Sequence, residues 1–243
     1  MPDGTNYADF ANTHNYLIAN GFTQPVNNDA WNAAAAGPGE GPYDGLYSEY
    51  GLTWHKGFIG YSTAALSVLP RVTTETGWFT QGNYAISEDQ QGKLFLNLFL
   101  AQYKRGWSYT FIYMLRDDPN RGYWGLFHTD YSPKLSAIYL HNLTAILSDN
   151  VNFTPSSLNY SIPSEPATVH DLLIQKSNGV LELAVWDECV SGADTVTVTL
   201  GATIPTVNLY DPTLSAAPTQ TLTHVGSVQL TLTDHPVIIE MKR

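Results

Sequence analysis

"RVTTETGW" occupies residues 71–78, and its reading decides how the first half of the chain folds. Val72, Thr73, Thr74 and Thr76 are β-branched, which favours an extended strand. Pro70 stands just before the run and Gly77 near its end. A lone carboxylate, Glu75, lies near the strand's carboxyl end, and an indole, Trp78, follows three residues later. Upstream, GYSTAALSVL (60–69) suits a short helix, with Ser62 near its start and Pro70 beyond its end. Downstream, Ser87 and Gln90 form a capping-box pair. The helix they open presents Leu94, Phe95, Leu98 and Phe99 to a core. It stops near Arg105, where Gly106 suits a left-handed cap.

SYTFIYML (108–115) reads as the next strand. An aromatic loop, RDDPNRGYWGLFHTDY, then leads to a helix over 132–147, with Leu135, Ile138, Tyr139, Leu143 and Ile146 at helical spacing. Nearer the start, YADFANTHNY (7–16) reads as a strand running into a loop. Residues 24–57 are rich in Gly, Pro and Asn and look like a long loop, a length usually tied to function. Strand and helix thus alternate three times, the pattern of parallel βα units. A closed (β/α)8 barrel needs eight such strands, so this half cannot close one by itself.

After about residue 150 the pattern changes. LLIQKSNGVLELAVW (172–186) is a hairpin signal, with Asn178-Gly179 suited to a type I′ turn. ADTVTVTL, PTVNLY, SVQLTLT and HPVIIEMK continue as short strands. The expected fold is α/β plus all-β. A partial (β/α)8-type barrel of three βα units over residues 1–150 precedes an antiparallel β-sandwich over 151–243.

The chain has 243 residues, 43% of them hydrophobic, enough for a sizeable core. Its net charge is −11, from 22 acidic against 11 basic residues, which disfavours nucleic acid and anionic membranes as partners. No run of 18 apolar residues suggests a membrane span. The start, MPDGTNYADF, is polar and reads as no leader, which leaves secreted and periplasmic locations open. The single cysteine, Cys189, excludes an intrachain disulfide and reads as an idle thiol. Six Trp and 15 Tyr beside only 14% charged residues suit polar-aromatic surfaces, on which sugars stack their C–H faces. Asp117 and Asp118 lack the alternating ligands of a calcium loop and read as a solvated turn before Pro119. No metal or cofactor is expected. G-x-S-x-G, H-E-x-x-H and Gly-rich phosphate loops are absent from the sequence.

TTETGW at a strand end, FANTHNY on an earlier strand and GYWGLFHTDYSPKLSAIYLHNL after the next resemble the C-terminal part of clan A glycoside hydrolases. HPVIIEMK resembles the last strand of the sandwich that often follows. The resemblance covers most of the chain and implies a retaining (β/α)8 enzyme acting on a poly- or oligosaccharide. It makes Glu75 the nucleophile, at the end of the strand before the last strand–helix pair. It makes Trp78 a wall of the sugar subsite and gives His14 and Tyr16 the task of orienting the nucleophile or touching the sugar. Tyr123 or Trp124 becomes the stacking aromatic after the last strand.

The chain departs from that family in one respect that bears on chemistry. The acid/base glutamate of the family follows an asparagine, and no Asn-Glu pair occurs in this sequence. Glu49 is a weak substitute from the long loop, which also offers Trp54 to the cleft. The alternative is a carbohydrate-binding or remnant module without turnover. An incomplete barrel leaves sheet edges and an apolar face open, so a homo-oligomer is expected.

Overall fold

A computed structural model describes residues 8–12, 14, 16–17, 30–34, 68–149, 151–152, 154, 156–189 and 191–242. Most of the expected helix at 60–69, most of the loop at 24–57, Glu49 and Trp54 lie outside the described residues. The chain divides into two compact units, Met1–Leu135 and Ser136–Arg243.

The first unit holds β1 (Ala11–Asn12), α1 (Ala30–Ala33), β2 (Arg71–Thr76), α2 (Glu88–Lys104) and β3 (Trp107–Ile112). The three strands form one parallel sheet in the order β1-β2-β3. Ala11 pairs with Arg71, and Val72 with Tyr109. The expected capping box opens α2: Ser87 Oγ accepts from Gln90 N at 3.1 Å, and Gln90 Oε1 accepts from Ser87 N at 3.0 Å. Glu88 and Asp89 in the first turn favour the positive end of the helix dipole. Leu94, Phe95 and Leu98 are buried, and Gly106 adopts φ +77 just past the helix end. Thr110 on β3 donates its hydroxyl to Gln102 of α2, so this face of the sheet meets the helix.

The second unit carries nearly all of α3 (Leu135–Leu147) and five strands. These are β4 (Val169–Gln175), β5 (Leu181–Asp187), β6 (Asp194–Tyr210), β7 (Gln220–Leu232) and β8 (Val237–Lys242). All five join one antiparallel sheet in the order β4-β5-β8-β6-β7. ADTVTVTL and PTVNLY, expected as separate strands, are one 17-residue strand with an irregularity between Thr199 and Ile204. Alternation along β5 and β6 places Leu181, Leu183, Val185, Val196, Val198 and Leu200 in a single apolar core.

The α3 stripe is rotated from the expected one. Tyr139, Leu143 and Ile146 are buried, whereas Leu135 and Ile138 are exposed. Ser136 and Asn142 take the buried positions, and Asn142 donates its amide to Pro212 O at 2.9 Å. The β4–β5 turn also differs. Gly179 N bonds Lys176 O, and Lys176 N bonds Val180 O, enclosing three residues. Only Gly179 has positive φ, at +86, where a type I′ turn requires positive φ at two successive positions. This is a type I turn closed by a left-handed glycine.

The turn after β7 is pinned by charge. His235 lies 3.3 Å from Asp211 through Nε2 and 3.1 Å from Asp234 through Nδ1, and Nδ1 is also 3.2 Å from the Thr233 hydroxyl. Burial pulls the imidazole down, but hydrogen bonds and charge from Asp211 and Asp234 outweigh it and raise its pKa to about 9. The folded value exceeds the ordinary one, so the contribution is fully present below about pH 6.5 and fades as pH rises through about 9. His235→Asn is expected to cost about 2–3 kcal/mol at pH 6 and much less at pH 10. Urea unfolding of both proteins at the two pH values checks this; an equal loss at both would overturn it.

Candidate active site

The three parallel strands present their carboxyl ends on one side of the sheet, where open α/β sheets bind ligands. Glu75 lies near that end of β2, and His14 lies two residues beyond β1. His14 Nδ1 is 2.6 Å from Glu75 Oε2. Both side chains are partly exposed, so solvent and ligands can reach them. Thr74 of β2 ties the two strands together: its backbone N–H and its hydroxyl both donate to Asn12 Oδ1, at 3.0 and 3.1 Å. The Thr74 hydroxyl oxygen is also 3.3 Å from His14 Nε2. Thr73 donates its hydroxyl to Glu75 O at 2.9 Å, which steadies the strand end.

Gly77 explains why the chain can leave the strand directly after Thr76. Its φ is +134, and a Cβ there would meet Tyr113 O at 3.1 Å and the Phe95 ring at 3.4 Å. A side-chain-bearing residue would be strained and would push β2 from β3.

Beyond the glycine, an aromatic cluster forms around Trp124. Its ring centroid lies 4.8 Å from Phe79, 5.7 Å from Tyr16, 5.8 Å from Tyr113 and 6.0 Å from Trp78. Tyr16, Tyr113 and Trp78 meet it edge-on, the geometry the aromatic quadrupole prefers. Trp124, Tyr16 and Tyr123 are partly exposed.

Trp78 is not. It is 1% exposed, stacks on Phe79 at 5.2 Å and donates its indole N–H to Tyr84 O at 2.9 Å. The wall expected of Trp78 is corrected to a packing role: it is buried against Phe79 and Trp124 and supports Trp124 from within. The solvated turn expected at Asp117 is corrected as well. Asp117 is 1% exposed and pairs with Lys134 at 2.8 Å. Lys134 Nζ also donates to Thr80 Oγ1 at 2.9 Å and Tyr123 O at 3.4 Å, while Asp117 Oδ1 accepts from Gly125 N at 2.7 Å. Trp124 is therefore bracketed by two backbone groups tied to one buried ion pair.

Asn12, Thr74 and Lys134 were not candidates from the sequence. Asn12 had a usable signal: it precedes His14 by two residues, so a strand period places both on one face. Lys134 had none, since nothing in SPKL separates a buried lysine from a surface one. Among the described residues, the donor atoms of Asp187, Cys189 and Asp194 lie within 4.8 Å of one another and could hold a metal. Local turn bonds hold two of the three: Cys189 N donates to Asp187 Oδ1 at 3.0 Å, and its thiol to Ser191 O at 2.8 Å.

The fold is similar to that of a solved family 39 glycoside hydrolase from the gut symbiont Bacteroides cellulosilyticus WH2. The TM-score is 0.61 at 17% identity, over 96% of this chain and 44% of that one. The chain thus spans less than half the length of that enzyme. It shares a glycosidase-like fold. A GH51 arabinofuranosidase from Xanthomonas axonopodis pv. citri is more distant, with a TM-score of 0.45 and 12% identity over 71% of this chain and 41% of that one. No protein-family model and no curated protein sequence matches the chain.

Proposed function

We propose that this chain is part of a retaining glycoside hydrolase acting on a poly- or oligosaccharide, with Glu75 as its nucleophile. The observation that carries the reading is the 2.6 Å His14–Glu75 contact at the carboxyl ends of parallel strands, beside an accessible aromatic cluster. In this role the Glu75 carboxylate attacks the anomeric carbon as the leaving oxygen departs, giving a glycosyl ester that water later opens. His14 orients the carboxylate, and Tyr16, Tyr123 and Trp124 offer ring faces to the sugar. The acid that protonates the leaving group must lie about 5–5.5 Å from Glu75. Glu49 remains a weak candidate for it, and Trp54 for a subsite contact.

In this reading residues 1–150 supply the last three βα units of a (β/α)8 barrel, and residues 151–243 form the accompanying sandwich. Phe10, Tyr109 and Phe111 are 44%, 56% and 54% exposed, as an open barrel interior would leave them. That aromatic face supports self-association of the chain.

Intact-mass measurement after incubation with a panel of activated 2-fluoroglycosides tests the function. One covalent adduct is expected, and peptide mapping should place it on Glu75. An adduct on another residue would overturn the assignment. Saturable oligosaccharide binding with no adduct would favour the carbohydrate-binding remnant instead.

A further inference from the structure

The bonds around Thr74 can be followed from one group whose chemistry admits no choice. The Thr74 backbone N–H can only donate, so the Asn12 atom 3.0 Å away must be the amide oxygen. That oxygen can only accept, so the Thr74 hydroxyl, 3.1 Å away, spends its single proton on it. The hydroxyl then offers only lone pairs to His14 Nε2 at 3.3 Å, and Nε2 must carry a proton to bond it. On the other side of the ring, Nδ1 and Glu75 Oε2 are 2.6 Å apart, a separation that requires a proton between them.

We infer that Asn12 and Thr74 are positioning residues that fix one proton of His14 on Nε2, leaving the ring's other nitrogen to share a proton with Glu75. The pair then exists as imidazolium and carboxylate, or as neutral imidazole and carboxylic acid, and the two differ only in where that shared proton rests. Oε2 is engaged in both, so Oε1 is the oxygen that, among the described residues, is left to meet a substrate. The proton order stands on hydrogen bonding alone; its consequence for turnover rests on the glycosidase reading above.

The order is read directly by long-range proton–nitrogen correlation of the His14 ring in the 15N-labelled full chain. Spectra are taken without substrate, under conditions where the pair retains its shared proton. In the wild-type protein Nε2 should show a directly bonded proton. In Asn12→Leu the Thr74 hydroxyl is released and can donate to the ring, so Nε2 should lose its bonded proton and Nδ1 alone should carry one. Asn12→Asp keeps an acceptor oxygen and should restore the wild-type pattern. Thr74→Val removes the hydroxyl at an exposed position and should give a mixture of the two ring forms. A wild-type ring protonated at Nδ1 alone, or variants that all keep the wild-type pattern, would overturn the inference. No sugar enters the measurement, so absence of glycosidase activity with the proton order intact would count against the functional reading only.

Discussion

Lys134→Met is expected to destabilise the protein by about 3–5 kcal/mol, the cost of leaving a buried carboxylate without its partner. The side chain is 1% exposed, and its ammonium has three acceptors for three protons: Asp117 Oδ1, Thr80 Oγ1 and Tyr123 O. Methionine fills similar space but supplies none of those donors, and Asp117 is equally buried. A domain's whole stability is about 5–15 kcal/mol, so a loss of this size removes a large share of it. The double variant Lys134→Met/Asp117→Asn should recover much of the loss, because the uncompensated charge is gone and the amide oxygen still accepts from Gly125 N. Urea unfolding of the single and double variants measures both quantities. A loss below about 1 kcal/mol in the single variant would mean that water reaches Asp117 and screens it. Near-ultraviolet circular dichroism should weaken in parallel, since the same pair tethers Tyr123 and Gly125 on either side of Trp124.

The sequence announced those elements whose signals are local. The Ser87–Gln90 box, the β-branched run at 71–76 and the alternation in 181–187 each act within a few residues, and each appears where expected. The α3 face was misjudged because hydrophobic spacing counts apolar residues but does not register that Ser136 and Asn142 can be buried once Asn142 finds Pro212 O. Trp78 was misjudged for a related reason. An indole after a strand end serves equally as a wall or a pillar, and the choice depends on tertiary contacts, here with Phe79, Tyr84 and Trp124. Glu75 and His14 are 61 positions apart in sequence, and only parallel pairing of β1 with β2 brings them to 2.6 Å. The lysine under Trp124 was illegible, because its burial follows from tertiary contacts with Thr80, Asp117 and Tyr123.

Trp186→Ala is likewise expected to cost about 3–5 kcal/mol, as a large truncation in a packed interior. The strand period places Trp186 with Glu182 and Ala184, on the face of β5 opposite Leu181, Leu183 and Val185. All seven residues of β5 are buried, so both of its faces are covered, and neither can collapse freely around a void. Trp186 is fully buried, and its ring lies 5.5 Å from that of His170 on the paired strand, with the two residues directly opposite in register. Such cross-strand aromatic pairs contribute beyond the area they bury, so Trp186→Phe should recover part of the loss. The midpoint of urea unfolding should fall in both variants without a change in slope, the mark of altered stability rather than altered compactness. The labelling expected at Glu75 should persist under conditions where the variant is folded, because Trp186 belongs to the second unit and Glu75 to the first. If Trp186→Ala instead kept its stability and lost sugar binding, the indole would be a ligand contact, and the carbohydrate site would have to be sought on the five-stranded sheet.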